Sequence, residues 1–506
     1  MKNFLLFLAL MVSISFIGCS VPVCSVQTNN STQLPLLQPN GNTQKPNIIF
    51  ILSDDHRFDF MGFTKKVPWL KTPAMDRLAT EGMHFSNTFV TTSLCSPSRA
   101  SILTGMYTHT HTIVDNNAPE PEGLVYFSQY LQQAGYRTSF FGKWHMGDNN
   151  DNPRPGFDHW ESFKGQGEYY SNTLNINGEH IKYGKDSYIS ELLTDHAIDW
   201  MDKKESDKPF FVYLSHKAVH AMFEPSPKYD GRYADEKIPY PESFNITKDD
   251  TYKKNRIPEW VKEQRYSWHG VDYMYHGKLE FEPFYKRYCE TLMGIDDSIA
   301  TILDYLDKNN MAENTVVIYM SDNGFSFGER GLIDKRHAYE ESIKVPLIIR
   351  WPGVISQHTT APQMIQNIDI APTLIDIAGL NAPSNMQGRS FLPLLKGDKV
   401  DNWRDKIFYE YYWEYDFPMT PTVFAVRTSR YKYIRYFGIW DTNEFYDLQE
   451  DPGEIHNLIA APQHQELIRQ LADELYDWLQ DTNGMQIPLK RTVKHRWGDW
   501  KNKDVY

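Results

Sequence analysis

The stretch NIIFILSDD, residues 47–55, decides how the rest of the chain is read. Ile48 to Leu52 are apolar at every position, on both faces of an extended backbone, which is the pattern of a strand covered on both sides and hence of a largely parallel sheet. The run ends in two carboxylates, Asp54 and Asp55. In an open α/β sheet, ligands bind beyond the carboxyl ends of the strands, so this pair stands where working residues are expected. Neighbouring residues on a regular strand point to opposite faces, so for both carboxylates to meet one ion the strand must already have ended. Two adjacent anions repel unless a cation neutralises them, and a donor set made only of oxygens favours calcium or magnesium.

Outward from this stretch the same grammar repeats. Apolar strand-like runs fall at residues 138–141, 210–214, 315–320 and 345–350, and amphipathic helical runs at 73–81, 188–203, 285–309 and 370–378. The fold class is α/β, a large mixed, mostly parallel sheet sandwiched by helices. From about Lys406 the pattern changes to short aromatic strands, KIFYEYYW, TVFAVRT and YKYIRYF, followed by a helix at 463–480, which predicts a small antiparallel sheet with a covering helix. The expected division is a main body over 46–395 and a C-terminal subdomain over 396–506.

The chain has 506 residues, 41% of them hydrophobic and 14% aromatic, which suits a folded protein and excludes disorder as its main state. It opens MKNFLLFLALMVSISFIGCS, a lysine followed by a short apolar run, which reads as an export signal over 1–18. The ending before Cys19 resembles a bacterial lipobox, so Cys19 is an expected lipidation site and 19–45, rich in Ser, Thr, Asn, Gln and Pro, an expected tether. The expected location is the periplasm or the outer-membrane or cell surface of a bacterium, with membrane contact only through that anchor. Of four cysteines, Cys95 and Cys289 alone fall in the body, which is no disulfide framework. Cys289 reads as a buried small hydrophobe. A formal net charge of −13 argues against nucleic acid as a partner.

A second strand, TVVIYMS, ends in Asp322, Asn323 and Gly324, so it repeats the oxygen-rich strand end of Asp54 and Asp55. Between them lies SLCSPSRASILTG, residues 93–105. Cys95 and Arg99 are four apart and share a face if a helix starts near Cys95, where free N–H groups attract anions. Pro97 suits the first turn. In FGKWHMG, Lys143 and His145 are two apart and point the same way on an extended backbone. His216 follows the strand FFVYL, and Lys335 lies in GLIDKRHAYEES.

Together these residues resemble the type I sulfatases of the alkaline phosphatase superfamily. The family pattern CxPSRxxxLTG is matched by Cys95, Pro97, Ser98, Arg99, Leu103, Thr104 and Gly105. The resemblance runs from about Pro46 to FYDLQEDPGEIHNL. It implies an alkaline phosphatase-like fold and a sulfuric ester hydrolase in which a separate maturation enzyme oxidises Cys95 to Cα-formylglycine. It further implies one calcium ion held by Asp54, Asp55, Asp322, Asn323 and residue 95. Arg99, Lys143 and Lys335 would bind the formylglycine or the sulfate, and His145 and His216 would carry protons, with His216 the acid for the leaving sugar oxygen. A hydrated aldehyde can attack sulfur with one hydroxyl and expel sulfate with the other, which a plain thiol cannot do.

The aromatic loops from His220 to Tyr285, including Trp260, Tyr266, Trp268, His269, Tyr273, Tyr275 and His276, suit sugar rings. With residues 155–170 they resemble bacterial carbohydrate sulfatases. The expected substrate is a sulfated oligosaccharide, from an algal polysaccharide such as ulvan or from glycosaminoglycan or mucin sugars, N-acetylglucosamine 6-sulfate among them. Two other readings stay open: a phosphodiesterase or phosphonate hydrolase of the same superfamily, and a non-catalytic glycan-binding lipoprotein.

Overall fold

In the computed structural model residues 34–42, 45–147, 150–203 and 207–486 are described. The expected signal peptide, Cys19 and most of the expected tether lie outside them. The apolar run at Asn47–Ser53 forms strand β1, in which Ile48 to Leu52 have no exposed surface. The other strands are β2 (Met83–Phe89), β3 (Arg137–Gly142), β4 (His159–Ser162), β5 (Thr173–Ile176), β6 (Glu179–Lys182), β7 (Phe210–Ser215), β8 (Thr315–Ser321), β9 (Ser326–Phe327), β10 (Ile333–Asp334), β11 (Leu347–Arg350), β12 (Thr359–Gln366), β13 (Lys406–Tyr411), β14 (Thr422–Thr428), β15 (Tyr431–Phe437) and β16 (Glu444–Asp447). Ten of them make one sheet in the order β12-β2-β11-β8-β1-β7-β3-β4-β5-β6.

The centre of that sheet, β8-β1-β7-β3-β4, is parallel, as the apolar runs predict. The run expected at 345–350 becomes β11, which is antiparallel to both β8 and β2. β2 and β12 were not legible in the sequence. β12 carries Pro362 and polar side chains on the edge of the sheet, where a missing N–H and a half-exposed face are tolerated. Helices Ile189–Asp202 and Phe281–Lys308 bury the β1 face carrying Ile49 and Ile51, with Cys289 inside that core. Among the described residues no helix is long and apolar enough to cross a membrane.

Register fixes where the strands stop. Ser53 of β1 pairs with Ser321 of β8, Leu52 with Ser215 of β7, and Gly142 of β3 with Ser215. The segments carrying Asp54, Asp322, Lys143 and His216 therefore leave the sheet at one edge. Gly142 has φ +110, and a Cβ there would sit 1.9 Å from the Ser215 carbonyl oxygen. Only glycine lets the end of β3 close onto β7, where the Lys143 N–H donates to the Ser215 carbonyl at 2.7 Å.

β13-β14-β15-β16 form the small antiparallel sheet, crossed by helix Gln465–Asp481, whose Ile468, Leu471, Leu475, Trp478 and Leu479 face inward at helical spacing. A buried hub of charge ties this sheet to the main body. The Lys432 ammonium meets Glu340 at 2.8 Å, Glu454 at 2.7 Å and the Ala338 carbonyl at 2.9 Å. Arg427 pairs with Glu340 at 3.1 Å, and Arg330 pairs with Glu341 at 2.6 Å while lying over the Tyr339 ring.

Candidate active site

The helix Cys95–Thr104 starts where the sequence predicts, with Leu94 extended before it and Gly105 closing it in the left-handed conformation at φ 69°. Every residue of this helix is buried, so its N-terminus enters the protein interior beside the strand ends. Arg99, one turn in, reaches both of them. Its guanidinium bonds Asp54 at 3.0 Å and Asp322 at 2.9 Å, and donates to the Lys143 carbonyl at 2.6 Å and the Ser215 hydroxyl at 2.7 Å.

The carboxylates gather two more cations. Lys143 pairs with Asp54 and is held from the other side by Gln166. Lys335 pairs with Asp55 and stands 3.1 Å from the Cys95 sulfur, which is itself 3.5 Å from Asp54. Burial alone would disfavour ionisation of Asp54, but Lys143, His220, Arg99 and Lys335 outweigh it and hold its pKa well below the usual range. Asp55 goes the other way: burial, then Asp54 and Asp322, push it up to about 7 against the pull of Lys335. The Cys95 thiol is pushed up to about 12 by burial and by Asp54, so the unmodified side chain is a neutral thiol and a poor nucleophile.

Oxygens of Asp54, Asp55 and Asp322 lie within 4.8 Å of one another. Asn323 completes the set: its amide nitrogen donates to Asp55 at 2.6 Å, while its buried amide oxygen has no donor among the described residues. An oxygen-only group with an unmet lone pair fits a hard divalent cation. Asp55 and His145 both carry positive φ without being glycine, at 56° and 59°. Strained backbone of this kind concentrates at functional sites.

His145 lines a cavity of about 210 Å³ together with Asp55, Gln166, Lys335 and His220. Its ring Nδ1 lies 3.5 Å from the Ser96 hydroxyl, next to residue 95. His216, expected as the second proton carrier, is not there. It is still paired as strand, its N–H donating to the Leu52 carbonyl at 2.8 Å, so its ring falls on the helix-covered face and meets Ser298 at 3.0 Å. Burial drives its pKa down to about 3, with no charged neighbour involved. The assignment of His216 as acid and substrate ligand is therefore corrected.

The side chain in that place is His220, four residues on. The chain first turns back along Asp54, with Asp54 N–H bonded to the Ala218 carbonyl at 2.9 Å and Val219 N–H to the Asp54 carbonyl at 2.7 Å. Tyr169 then fixes the segment by donating to the His220 carbonyl at 2.7 Å. His220 Nδ1 lies 2.6 Å from the Ala221 carbonyl, which can only accept, so Nδ1 carries the proton and Nε2 faces Asp55 at 4.0 Å. The sequence signal was present as the second histidine of HKAVH, but the turn that selects it was not.

Of the aromatic loop, His269 and Tyr275 reach this cavity, and Arg336, Asp334, Asp416 and Phe417 join them. Arg336 is fixed by Asp334 at 2.8 Å and Glu414 at 2.8 Å, flat over Phe417. Trp268 stacks on the other partner of that wall, 5.1 Å from Phe417 and nearly parallel to it. Trp260 instead packs on Tyr436 of the small sheet.

A family described as Sulfatase matches residues 46–380, and one described as N-sulphoglucosamine sulphohydrolase, C-terminal, matches 328–481. This chain belongs to the sulfatase family. The sulfatase is 31% identical over 500 residues to an N-acetylglucosamine-6-O-sulfatase of Bacteroides thetaiotaomicron, covering 87% of this chain and 88% of that one. It is 27% identical to an ulvan-active sulfatase of Formosa agariphila, covering 99% of this chain and 89% of that one. A structure solved with its substrate D-glucosamine-2-N,6-O-disulfate superposes with a TM-score of 0.76 at 30% identity, over 88% of this chain and 99% of that one. The sulfatase is accordingly a sulfuric ester hydrolase with an alkaline phosphatase-like fold.

Proposed function

We propose that this sulfatase is an exported bacterial enzyme that removes a 6-O-sulfate from a glucosamine-type sugar of a sulfated oligosaccharide, using a formylglycine made from Cys95. The observation that carries the reading is the placement of residue 95 against Asp54, at 3.5 Å, and against Lys335, at 3.1 Å, the lysine that lines the cavity together with Asp55. The sugar is chosen on the likeness to the N-acetylglucosamine-6-O-sulfatase, and export on the apolar N-terminus. Asp54, Asp55, Asp322 and Asn323, with residue 95, would hold one calcium ion, which supplies positive charge to sulfuryl oxygens. The aldehyde hydrate at residue 95 supplies the attacking oxygen.

The chain's own side chains do the rest. Arg99 does not face substrate: its bonds to Asp54, Asp322 and the Lys143 backbone lock the carboxylates and the lysine in one geometry. Lys143 and Lys335 present ammonium groups to the sulfate and offset charge that grows on its oxygens during transfer. His220 Nε2 faces the cavity; with its Nδ1 proton fixed on the Ala221 carbonyl, the ring acts as an imidazolium, gives its Nε2 proton to the departing sugar oxygen and is left as the neutral Nδ1–H tautomer. His145, held beside residue 95 by Ser96, takes a proton there. Arg336, flat on Phe417, and His269 form a rigid wall for the sugar ring.

The test is sulfate release from a panel of defined sulfated sugars by protein produced with the maturation enzyme, with mass spectrometry of the peptide containing residue 95. Release from glucosamine 6-sulfates and a formylglycine mass are expected. Faster turnover of a phosphodiester or phosphonate than of any sulfate ester would overturn the reading, and an unmodified thiol in active protein would remove its mechanism.

A further inference from the structure

A second cavity, of about 640 Å³, adjoins the catalytic one and shares Gln166, His220 and Ala221 with it. On its wall is Lys217, three residues before His220 on the turn that carries that histidine. Lys217 is 5% exposed, yet among the described residues its ammonium has no carboxylate, carbonyl or hydroxyl partner. It lies instead against the face of Tyr169, with the nitrogen 4.7 Å from the ring centroid. The other buried lysines of this region, Lys143 and Lys335, are each paired with a carboxylate.

A buried cation without a counter-charge is costly unless something brings the charge. The cation–π contact with Tyr169 holds the ammonium but leaves its N–H groups free for the cavity. The nearby acids supply only a longer-range part of the charge. Asp54, Glu168 and Glu224 attract the ammonium, but among the described residues no carboxylate comes within ion-pair distance of it, and Asp151 on the same wall is bound by His180 at 3.0 Å. Burial, with Lys143 nearby, outweighs that attraction and pushes the Lys217 pKa down to about 8.

We propose that Lys217 is the cation of a second anion-binding subsite, which takes a sulfate or carboxylate group of the substrate next to the sulfate being removed. The subsite makes the enzyme selective for sugars with two negative charges, the first at the catalytic cavity and the second within reach of Lys217. The inference rests on the sulfatase reading for the position of the scissile ester. Lys217 does not touch the reacting atoms and acts on substrate choice.

Binding can be read without turnover in a Cys95→Ala background by calorimetric titration with three probes: N-acetylglucosamine 6-sulfate, glucosamine 2-N,6-O-disulfate, and N-acetylglucosamine 6-sulfate linked to a uronic acid. One or both of the doubly charged probes should bind about 10- to 100-fold more tightly than the singly charged one, as a charge-assisted hydrogen bond predicts. Which of the two gains identifies sulfate or carboxylate as the second group. The gain should shrink to about threefold or less in Lys217→Met and Lys217→Gln and persist in Lys217→Arg, with thermal denaturation confirming that each variant folds. Equal binding of all three probes by the Lys217 protein, or a gain unchanged in Lys217→Met and Lys217→Gln, would overturn the subsite. In the matured enzyme, kcat/KM should show the same selective loss on the doubly charged sugar. Failure to release sulfate from any probe would instead sink the sulfatase reading, while the titration still decides on Lys217.

Discussion

Two buried charge clusters in this protein look alike in composition and differ in what they leave unsatisfied. At the hub under the small sheet, Lys432 has three partners for its three protons, and Arg427 and Arg330 close on Glu340 and Glu341; what is left over there is a donor, the Arg330 Nε–H. At the strand ends, Asp54, Asp55 and Asp322 are met by Arg99, Lys143 and Lys335, but among the described residues the Asn323 oxygen has no donor, and Asp55 and Lys335 border a cavity. Buried ion pairs, and single unmet atoms, therefore do not by themselves mark a site. A spare acceptor added to a group of carboxylates at a cavity edge does, and Lys217 is its counterpart of opposite charge one cavity away.

The comparison breaks if the two clusters respond alike to mutation. Cys95→Ala should lower sulfate release on the order of 10⁵-fold while the melting temperature stays within a few degrees of the parent. His220→Ala should cost roughly 10²- to 10⁴-fold in kcat, against less than about tenfold for His216→Ala, whose loss should appear as lower stability through the Ser298 bond. A larger kcat effect at His216 than at His220 would reverse the correction made above. Chelation of divalent metal should reduce turnover by roughly 100-fold or more, with calcium restoring it, and should leave the hub's contribution to unfolding untouched.

At the hub the expected order is inverted. Lys432→Met strips one side of a buried pair and should cost roughly 3–5 kcal/mol in urea unfolding, with kcat near the parent value at low temperature. The smallest effect is a pH dependence. Burial opposes ionisation of Glu340, but Lys432 and Arg427 outweigh it and hold its pKa well below the ordinary 4.5. A depressed carboxylate contributes stability above its unfolded pKa, and that contribution is lost as pH falls below about 4.5 toward the folded value. Acid unfolding of Lys432→Met should accordingly show a shallower slope in that window than the parent.

The sequence made the frame and the reactive end legible because both are local: an apolar run ending in carboxylates declares a buried strand and its exit, and Cys95 to Gly105 declares a helix with its first turn inside. What lay beyond the exits was harder. His216 and His220 both follow β7, and only backbone bonds to Asp54, far away in sequence, decide which ring enters the cavity. Lys432, Glu340 and Glu454 meet across long loops, and Lys217 reads in sequence like any surface lysine. Edge strand β12 and its neighbour β2 escaped for the opposite reason, since strands that mix polar with apolar residues and are only partly covered do not advertise themselves by apolar runs.

The common level at which Ser53, Ser215 and Ser321 end acts as a ruler for the chemistry. One residue added within β8 would lift Asp322 by about 3.3 Å and turn it to the opposite face. The distances among the reacting groups are thus set by the hydrogen-bond ladder of the sheet, whereas the walls that meet the sugar hang on loops. Evolution or design can rewrite which sugar is admitted at Lys217, His269 or Arg336 without recalibrating the end that handles sulfate.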